Sequence, residues 1–234
     1  MRGSWYGIPL QERERIYARQ SLETAALRRY IYGLLPLRRT ARIIEPGCGT
    51  GLVLSEVSLL TDAALYGYDR DAGALAKAES RIPGLNAVEC DIERHPLSRA
   101  DIVLLSHVLL ELEDAPAFMA KLAGLMEPGG RLAVLGEYDW RAAATSRGDR
   151  VLEAAVRRME EDGLDTSIAG GIPGLMAGAG LRLLHFGSIR ACSRIDPLFL
   201  ASLYLNGKPL DESIETPTFE GTMSLPVVWA VAGR

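Results

Sequence analysis

Cysteine, long apolar runs and internal repeats are all scarce or missing in this sequence of 234 residues. The three cysteines, at positions 48, 90 and 192, are widely spaced and form no metal-ligand pair, which favours a reducing, cytoplasmic setting without a bound metal. No apolar run reaches the roughly 18 residues that span a membrane, and the first residues lack a signal-peptide core. We therefore expect neither a membrane span nor a secreted, disulfide-rich fold.

What the chain does contain is typical of a globular protein. Apolar residues make up 48% and charged residues 24% of the sequence. Its length suits one large domain, or one domain with a small lid, and is ample for a buried core.

Positive charge is concentrated near the N-terminus. Residues 1–42 contain nine arginines and three glutamates, a net charge of +6, whereas the whole chain carries −4. A basic helix of this kind could bind RNA, an anionic partner or acidic lipid. We favour a solvated helix whose arginines pair with acids of the main domain, because the overall charge is negative and argues against nucleic acid.

Three glycines at alternate positions form the most informative motif. Residues 41–46 are a short apolar run that ends in Glu45 and a proline, and Gly47, Gly49 and Gly51 then precede a helix-like stretch. The pattern predicts a strand, a tight turn and a helix start, where glycines allow positive φ and a close approach of ligand to main chain. The loop is one residue shorter than the G-x-G-x-x-G pattern that suits a pyrophosphate, and Glu45 could accept a hydrogen bond from a cationic amine.

Four further features follow this loop. They are an apolar run ending in Asp69, a segment ending in Asp91, a buried strand leading to Ser106 and His107, and a Pro-Gly-Gly turn before a strand that ends at Glu137. In order and spacing, residues 40–137 resemble the class I S-adenosylmethionine-dependent methyltransferases.

The resemblance implies S-adenosylmethionine as cofactor. It places Asp69 at the ribose hydroxyls and Asp91 at the adenine amino group, while an acid at the end of a second strand is also what nucleotide-binding α/β folds use for ribose. Cys48 is predicted to be a small loop filler rather than a reactive thiol. The expected cofactor-binding residues are Glu45, Gly47, Cys48, Gly49, Gly51, Asp69, Arg70, Asp91, Ile92 and Ser106.

Signatures that would identify the methyl acceptor are missing. Instead of Asn-Pro-Pro-Tyr or Asp-Pro-Pro-Tyr, the fourth strand is followed by Ser106-His107-Val108-Leu109, which disfavours enzymes that methylate amino groups of DNA, glutamine and some RNAs. No Pro-Cys pair supports C5 methylation of pyrimidines. Residues 137–180 loosely resemble the small-molecule group near the ubiquinone and menaquinone biosynthesis methyltransferases.

Two residues are predicted as catalytic bases. His107 and Glu137 each follow a buried strand and should face the sulfonium side of the pocket. Glu111, Tyr138 and Asp139 are further candidates. A base is needed only if the acceptor must lose a proton, because alignment and exclusion of water can suffice for an unprotonated nucleophile.

Alternating strand and helix patterns predict an α/β, Rossmann-like fold. We expect a seven-stranded, mostly parallel sheet with an antiparallel last strand, helices on both faces and a helical lid. Residues 1–40 are the predicted N-terminal helical lid and residues 41–234 the methyltransferase core, with substrate-side inserts near 139–172 and 191–225. Strands are expected near 42–46, 64–68, 86–90, 101–106, 131–137, 181–189 and 226–233.

The prediction for function is a methyltransferase with a small-molecule acceptor. An RNA or protein methyltransferase that uses the basic N-terminal helix and a non-catalytic S-adenosylmethionine-binding protein remain alternatives. A nicotinamide-dependent oxidoreductase is opposed by the short glycine loop, by Glu45 and by the Pro-Gly-Gly turn. The sequence predicts neither the acceptor nor the oligomeric state.

Overall fold

The computed structural model describes residues 9–146, 150–195 and 221–234. Within these ranges an eight-stranded sheet is packed against six α-helices. The strands are β1 (Arg42–Pro46), β2 (Ala64–Asp69), β3 (Asn86–Glu89), β4 (Ala100–Ser106), β5 (Met126–Tyr138), β6 (Ala144–Thr145), β7 (Arg182–Ile195) and β8 (Gly221–Gly233). The helices are α1 (Leu10–Leu34), α2 (Leu52–Val57), α3 (Ala72–Arg81), α4 (Ala115–Leu125), α5 (Arg150–Glu161) and α6 (Ile168–Gly178).

The sheet has the order β3-β2-β1-β4-β5-β8-β7. Strands β1 to β5 are parallel, and β8 runs antiparallel to its neighbours β5, β6 and β7. The short β6 pairs with β8 just beyond the end of β5. The predicted fold class, a mostly parallel sheet with an antiparallel last strand, is confirmed.

The direction in which successive strands are added to the sheet reverses between β1 and β4. Strands β2 and β3 lie on one side of β1, and β4 lies on the other. In open α/β sheets, ligands bind outside the carboxyl ends of the strands at such a switch point. The central strands are fully buried, with Ile102–Leu105 of β4 and Leu132–Leu135 of β5 removed from solvent. Such continuous burial is typical of a parallel sheet that is covered on both faces. The buried strands hold in place the strand ends at which the candidate site lies.

The two halves of α1 have different environments. The second half buries Leu27, Ile31 and Tyr32 against the main core. The first half lies near the start of α3, where a Cβ atom on Gly73 would be 3.3 Å from Leu10 Cδ2. The division into a lid of residues 1–40 and a core of residues 41–234 stays a prediction.

The structure differs from the sequence-based boundaries at three strands. Strand β5 begins at Met126 rather than near residue 131, so the predicted Pro-Gly-Gly turn lies within this strand, at a register shift with β4. Strand β7 continues to Ile195 rather than ending near residue 189, and β8 begins at Gly221 rather than near residue 226. The predicted insert at 191–225 is thus narrower at both ends, and its remainder, residues 196–220, lies outside the described residues. The polar Arg190 breaks the apolar pattern of β7, while main-chain pairing with β8 continues through it to Ile195.

The other predicted insert, near residues 139–172, contains β6, α5 and the first turn of α6. A two-residue strand such as β6 is too short to produce a periodic signal. In α5, Leu152, Ala155 and Met159 are buried at helical spacing. No helix in the described parts of the chain is both long and apolar enough to cross a bilayer.

Candidate active site

The glycine loop forms a tight turn between β1 and α2. Gly47, Gly49 and Gly51 have φ angles of 73°, 51° and 73°. The backbone N–H groups of Gly47 and Cys48 both donate to the carbonyl oxygen of Tyr68, at 2.7 and 3.0 Å, which holds the loop against the end of β2. The predicted turn is therefore present, and its positive φ angles explain the glycines.

Asp69, at the carboxyl end of β2, anchors the same loop. Its Oδ2 accepts from the Gly49 N–H at 2.8 Å, and its Oδ1 accepts from the Asp71 N–H at 3.0 Å. The side chain is 9% exposed, and burial raises the pKa of its carboxyl although these N–H donors oppose the shift. Its position beside the loop fits the predicted contact with ribose, which stays a prediction.

Glu45 occupies the end of β1 and is 2% exposed. Its Oε2 has no hydrogen-bond partner among the described residues. Burial raises the pKa of this carboxyl well above its usual value; the positive charge of Arg28 opposes that shift and the charge of Asp69 adds to it. A buried carboxylate oxygen without a donor is costly. It fits the ammonium group of an amino-acid ligand, such as the methionine part of S-adenosylmethionine.

Cys48 is a buried filler, as predicted. A Cβ atom on Gly67 would lie only 2.7 Å from the Cys48 Sγ, so the thiol fills the space above β2 that this glycine leaves. Burial raises the pKa of the thiol well above its usual value, which makes the reactive thiolate scarce.

The residues predicted to contact adenine, Asp91 and Ile92, have partners within the protein. Asp91 Oδ1 accepts from the Glu93 N–H at 3.0 Å, and its Oδ2 pairs with Arg94 at 2.5 Å. Burial would raise the pKa of Asp91, but the hydrogen bond from Arg94 lowers it overall. Ile92 is fully buried. Both oxygens of Asp91 already have donors, so an adenine amino group would have to share them.

On the acceptor side, His107 follows β4 with a φ of 51°, a left-handed conformation that is uncommon for residues other than glycine. Its two ring nitrogens are buried and have no hydrogen-bond partner among the described residues. The ring lies 4.5 Å from the Tyr138 ring, between centroids. Burial and then the charge of Arg28 lower the pKa of His107 to about 4, so the imidazole is neutral at pH 7.

Glu137 is 2% exposed near the end of β5 and contacts the loop after β4. Its Oε2 accepts from the Leu109 N–H at 3.1 Å. Burial raises the pKa of Glu137 to about 8, and the nearby Glu111 adds to the shift. Burial also raises the pKa of Glu111 to about 7. The contact of Glu137 with the loop backbone indicates a structural task besides the predicted catalytic one.

Of the remaining predicted residues, Ser106 is half-buried at the end of β4 and Arg70 is half-buried directly after Asp69. The positive charge of Arg70 opposes the rise that burial causes in the pKa of Glu111. The structure thus brings the ends of β1, β2, β4 and β5 to one edge of the sheet, where all predicted bases lie.

Helix α1 supplies site residues that sequence reasoning missed. A Cβ atom on Gly49 would lie 3.7 Å from the Tyr17 ring, so this aromatic side chain covers the glycine loop. Arg13 pairs with Asp71 at 2.5 Å, and Glu14 pairs with Lys77 on α3. The sequence predicted a helical lid whose arginines pair with acids of the main domain, but not which residues pair, because the partners are about 60 positions apart.

Several of the N-terminal arginines are neutralised within the protein. Arg13, Arg19 and Arg28 each form an ion pair with an acid. The predicted pairing of N-terminal arginines with acids of the main domain is thereby confirmed for Arg13 and Arg28, whereas Arg19 pairs with Glu23 on α1 itself.

Comparison with known proteins agrees with this geometry. Residues 44–134 match the methyltransferase domain family. A trans-aconitate 2-methyltransferase from Methylobacterium nodulans is 33% identical over 105 residues, which cover 43% of this chain and 40% of that protein. A ubiquinone biosynthesis O-methyltransferase from Rhodopseudomonas palustris is 32% identical over 109 residues, covering 44% and 43% respectively.

Among solved structures, the YcgJ protein from Bacillus subtilis superposes with a TM-score of 0.64 at 13% identity, covering 90% of this chain and 99% of that one. The curated relatives are matched over about two fifths of their length. Together, the fold, the glycine loop with its flanking acids and the sequence matches show that residues 44–134 form a methyltransferase domain and that the chain is similar to the class I S-adenosylmethionine-dependent methyltransferases.

Proposed function

We propose that this protein binds S-adenosylmethionine at the glycine loop and transfers its methyl group to a small-molecule acceptor. The observation that carries the proposal is the buried Glu45 Oε2, which has no partner among the described residues and lies at the start of the loop that Asp69 anchors. A cationic amine would give Glu45 the donor that it lacks, and ribose hydroxyls would add to the backbone donors that Asp69 already has.

Each predicted cofactor residue has a role in this proposal. Glu45 receives the ammonium group, Asp69 the ribose hydroxyls, and Asp91 with Ile92 the adenine ring. The remaining predicted contacts line the path between these groups: Gly47, Cys48, Gly49, Gly51, Arg70 and Ser106. The cofactor, when bound, supplies a methyl group already activated on a sulfonium.

His107 is the better candidate for the catalytic base. A neutral imidazole at pH 7 can accept a proton, and both of its nitrogens lack protein partners in the described structure. Glu137 holds the Leu109 N–H, and with its raised pKa it is largely protonated at pH 7. We infer that Glu137 shapes the acceptor loop and that His107 takes the proton when the acceptor is a hydroxyl or an acidic carbon.

The choice of a small acceptor rests on two observations. The names of the matched relatives refer to trans-aconitate and to ubiquinone biosynthesis, both small-molecule chemistry. The ion pairs of Arg13, Arg19 and Arg28 remove positive charge that RNA would need. The free thiols of Cys48 and Cys90 suit a cytoplasmic location.

Calorimetry with S-adenosylmethionine, S-adenosylhomocysteine and NAD tests the cofactor. We expect binding of the first two and none of NAD. Asp69→Asn should weaken binding by about 1–3 kcal/mol, because a charge-assisted acceptor is lost. The exposed Asp62→Asn is the matched control and should bind as the wild type does.

Methyl transfer is tested separately, with a labelled donor and cell extract separated into small-molecule, RNA and protein fractions. Label should appear in the small-molecule fraction. His107→Ala should lower kcat by about 10²–10⁴ and leave cofactor affinity nearly unchanged, whereas His95→Ala should not. Label in RNA or protein would favour the alternative acceptors, and tight cofactor binding without transfer to any fraction would show a non-catalytic protein.

A further inference from the structure

Arg28 is a buried cation on α1, with 2% of its surface exposed. Its Nε donates to Glu56 Oε2 at 2.8 Å, and one terminal nitrogen donates to Glu56 Oε1 at 2.5 Å. The same guanidinium reaches Thr24 at 2.5 Å and Ser21 at 2.9 Å on its own helix. A planar, bidentate arrangement of this kind has a fixed geometry, which a flexible lysine would not reproduce.

The ion-pair partner of Arg28 lies on α2, the helix that directly follows the glycine loop. Glu56 belongs to α2, whose first residue follows Gly51 directly. Tyr32 of α1 also donates to Glu56 Oε2, at 2.8 Å. Two side chains of α1 therefore fasten α2, and with it the loop that carries the cofactor-binding backbone.

The positive charge of Arg28 also affects the ionisation of Glu45 at the end of β1 and of His107 in the loop after β4. It favours the ionised form of Glu45, and it disfavours the protonated form of His107. The charged or titratable groups that interact with Glu45 include Arg28 and Tyr32 from α1, Glu56 from α2, Asp69 from β2 and Cys48 from the loop itself. Arg28 is the cation among these groups.

We propose that Arg28 is a positioning residue of the cofactor site, which fastens α1 to α2 through Glu56 and lends its positive charge to the carboxylate of Glu45. The proposal rests on the cofactor assignment above, in which Glu45 receives the ligand ammonium. A ligand ammonium binds best to an ionised carboxylate, so the ionisation of Glu45 sets how affinity changes with pH. Arg28 and Glu56 act on this ionisation in opposite directions.

The test is the affinity for S-adenosylhomocysteine, measured by calorimetry from pH 5 to pH 9 in three variants. Arg28→Met should weaken binding about tenfold at pH 7 and move the rise of affinity to higher pH, because Glu45 then ionises less readily. Glu56→Gln retains Arg28 and removes a negative charge that opposes the ionisation of Glu45. Glu45 should then ionise at lower pH, and the rise of affinity should move to lower pH with it. Arg15→Met, an exposed change on the same helix, should leave the curve unchanged.

The ligand titrates identically in all variants, so differences between the curves belong to the protein. A merely structural role would weaken binding in both variants without moving the curve in opposite directions, and that result would overturn the proposal. If Arg28→Met does not fold, Arg28→Lys, which keeps the charge, should retain the wild-type position of the curve. Failure of the wild type to bind S-adenosylhomocysteine would instead overturn the cofactor assignment itself.

Discussion

At the scale of single residues, Glu137 gives the clearest pH dependence. Its pKa is about 8 in the folded protein, against a usual value of 4.5, because the carboxyl is buried. Between these two pH values the folded state holds a proton that the unfolded state has lost. The contribution of Glu137 to the free energy of unfolding is therefore largest below pH 4.5. It falls as the pH rises to 8, by up to about 1.4 kcal/mol per pH unit.

Glu137→Gln should remove this part of the pH dependence, because an amide keeps an acceptor for the Leu109 N–H and does not ionise. Urea unfolding at pH 5 and pH 8 measures the difference. The exposed Glu79→Gln is the control and should lose as much stability as the wild type between the two pH values. An unchanged slope in Glu137→Gln would show that the folded carboxyl is already ionised at pH 5.

Sequence reasoning worked best for residues that follow strands. Glu45, Asp69 and Glu137 lie at the carboxyl ends of β1, β2 and β5, and the carboxyl ends of parallel strands in one sheet share one edge. Arg28 and Tyr17 could not be found in this way. Their tasks depend on how a helix crosses the sheet, which is decided by packing rather than by local spacing.

At the scale of elements, the junction of α2 with α3 is unusually close. Gly51 begins α2 with a φ of 73°, and a Cβ atom there would lie 2.8 Å from the Ala78 Cβ and 3.1 Å from its Cα. Gly51→Ala should destabilise the protein by about 2–4 kcal/mol, through backbone strain and overpacking together. Gly124→Ala, exposed on α4 with open space around it, should stabilise by about 0.5–1 kcal/mol.

Denaturant unfolding of both glycine variants measures these changes under the same conditions. Wild-type stability in Gly51→Ala would mean that α2 and α3 can move apart without loss. The glycine spacing could be predicted to form a turn, but the neighbour that Gly51 accommodates, Ala78, could not. Likewise the sequence predicted a strand near 181–189 and missed its last six residues, because main-chain pairing with β8 extends it where side-chain pattern fails.

At the scale of the whole molecule, α1 connects the site to the core through two unequal attachments. Its first half is held by Arg13–Asp71, by Glu14–Lys77 and by Tyr17 over the loop, whereas its second half is buried. The Glu14–Lys77 pair is partly exposed and contributes only about 0–1 kcal/mol, whereas the Arg13–Asp71 pair is largely buried. We expect hydrogen exchange to be fast for amides of residues 10–20 and slow for those of residues 24–34.

Binding of S-adenosylhomocysteine should slow exchange in residues 10–20, because the ligand would occupy the space that Tyr17 covers. The amides of β4 serve as an internal control and should exchange slowly with or without ligand, since that strand is fully buried. Uniform protection along α1, unchanged by ligand, would instead indicate a rigid cap.

The position of β8 has a consequence for how the protein is made. This strand follows β7 in the chain but lies between β5 and β7. During synthesis, the edge of β5 that pairs with β8 therefore stays without this partner until residues 221–233 have left the ribosome. During that interval the nascent chain exposes a strand edge, the kind of surface that chaperones shield and that drives aggregation. Because β8 lies between β5 and β7, we expect the sheet to be completed only after this last strand has been synthesised, well after the glycine loop.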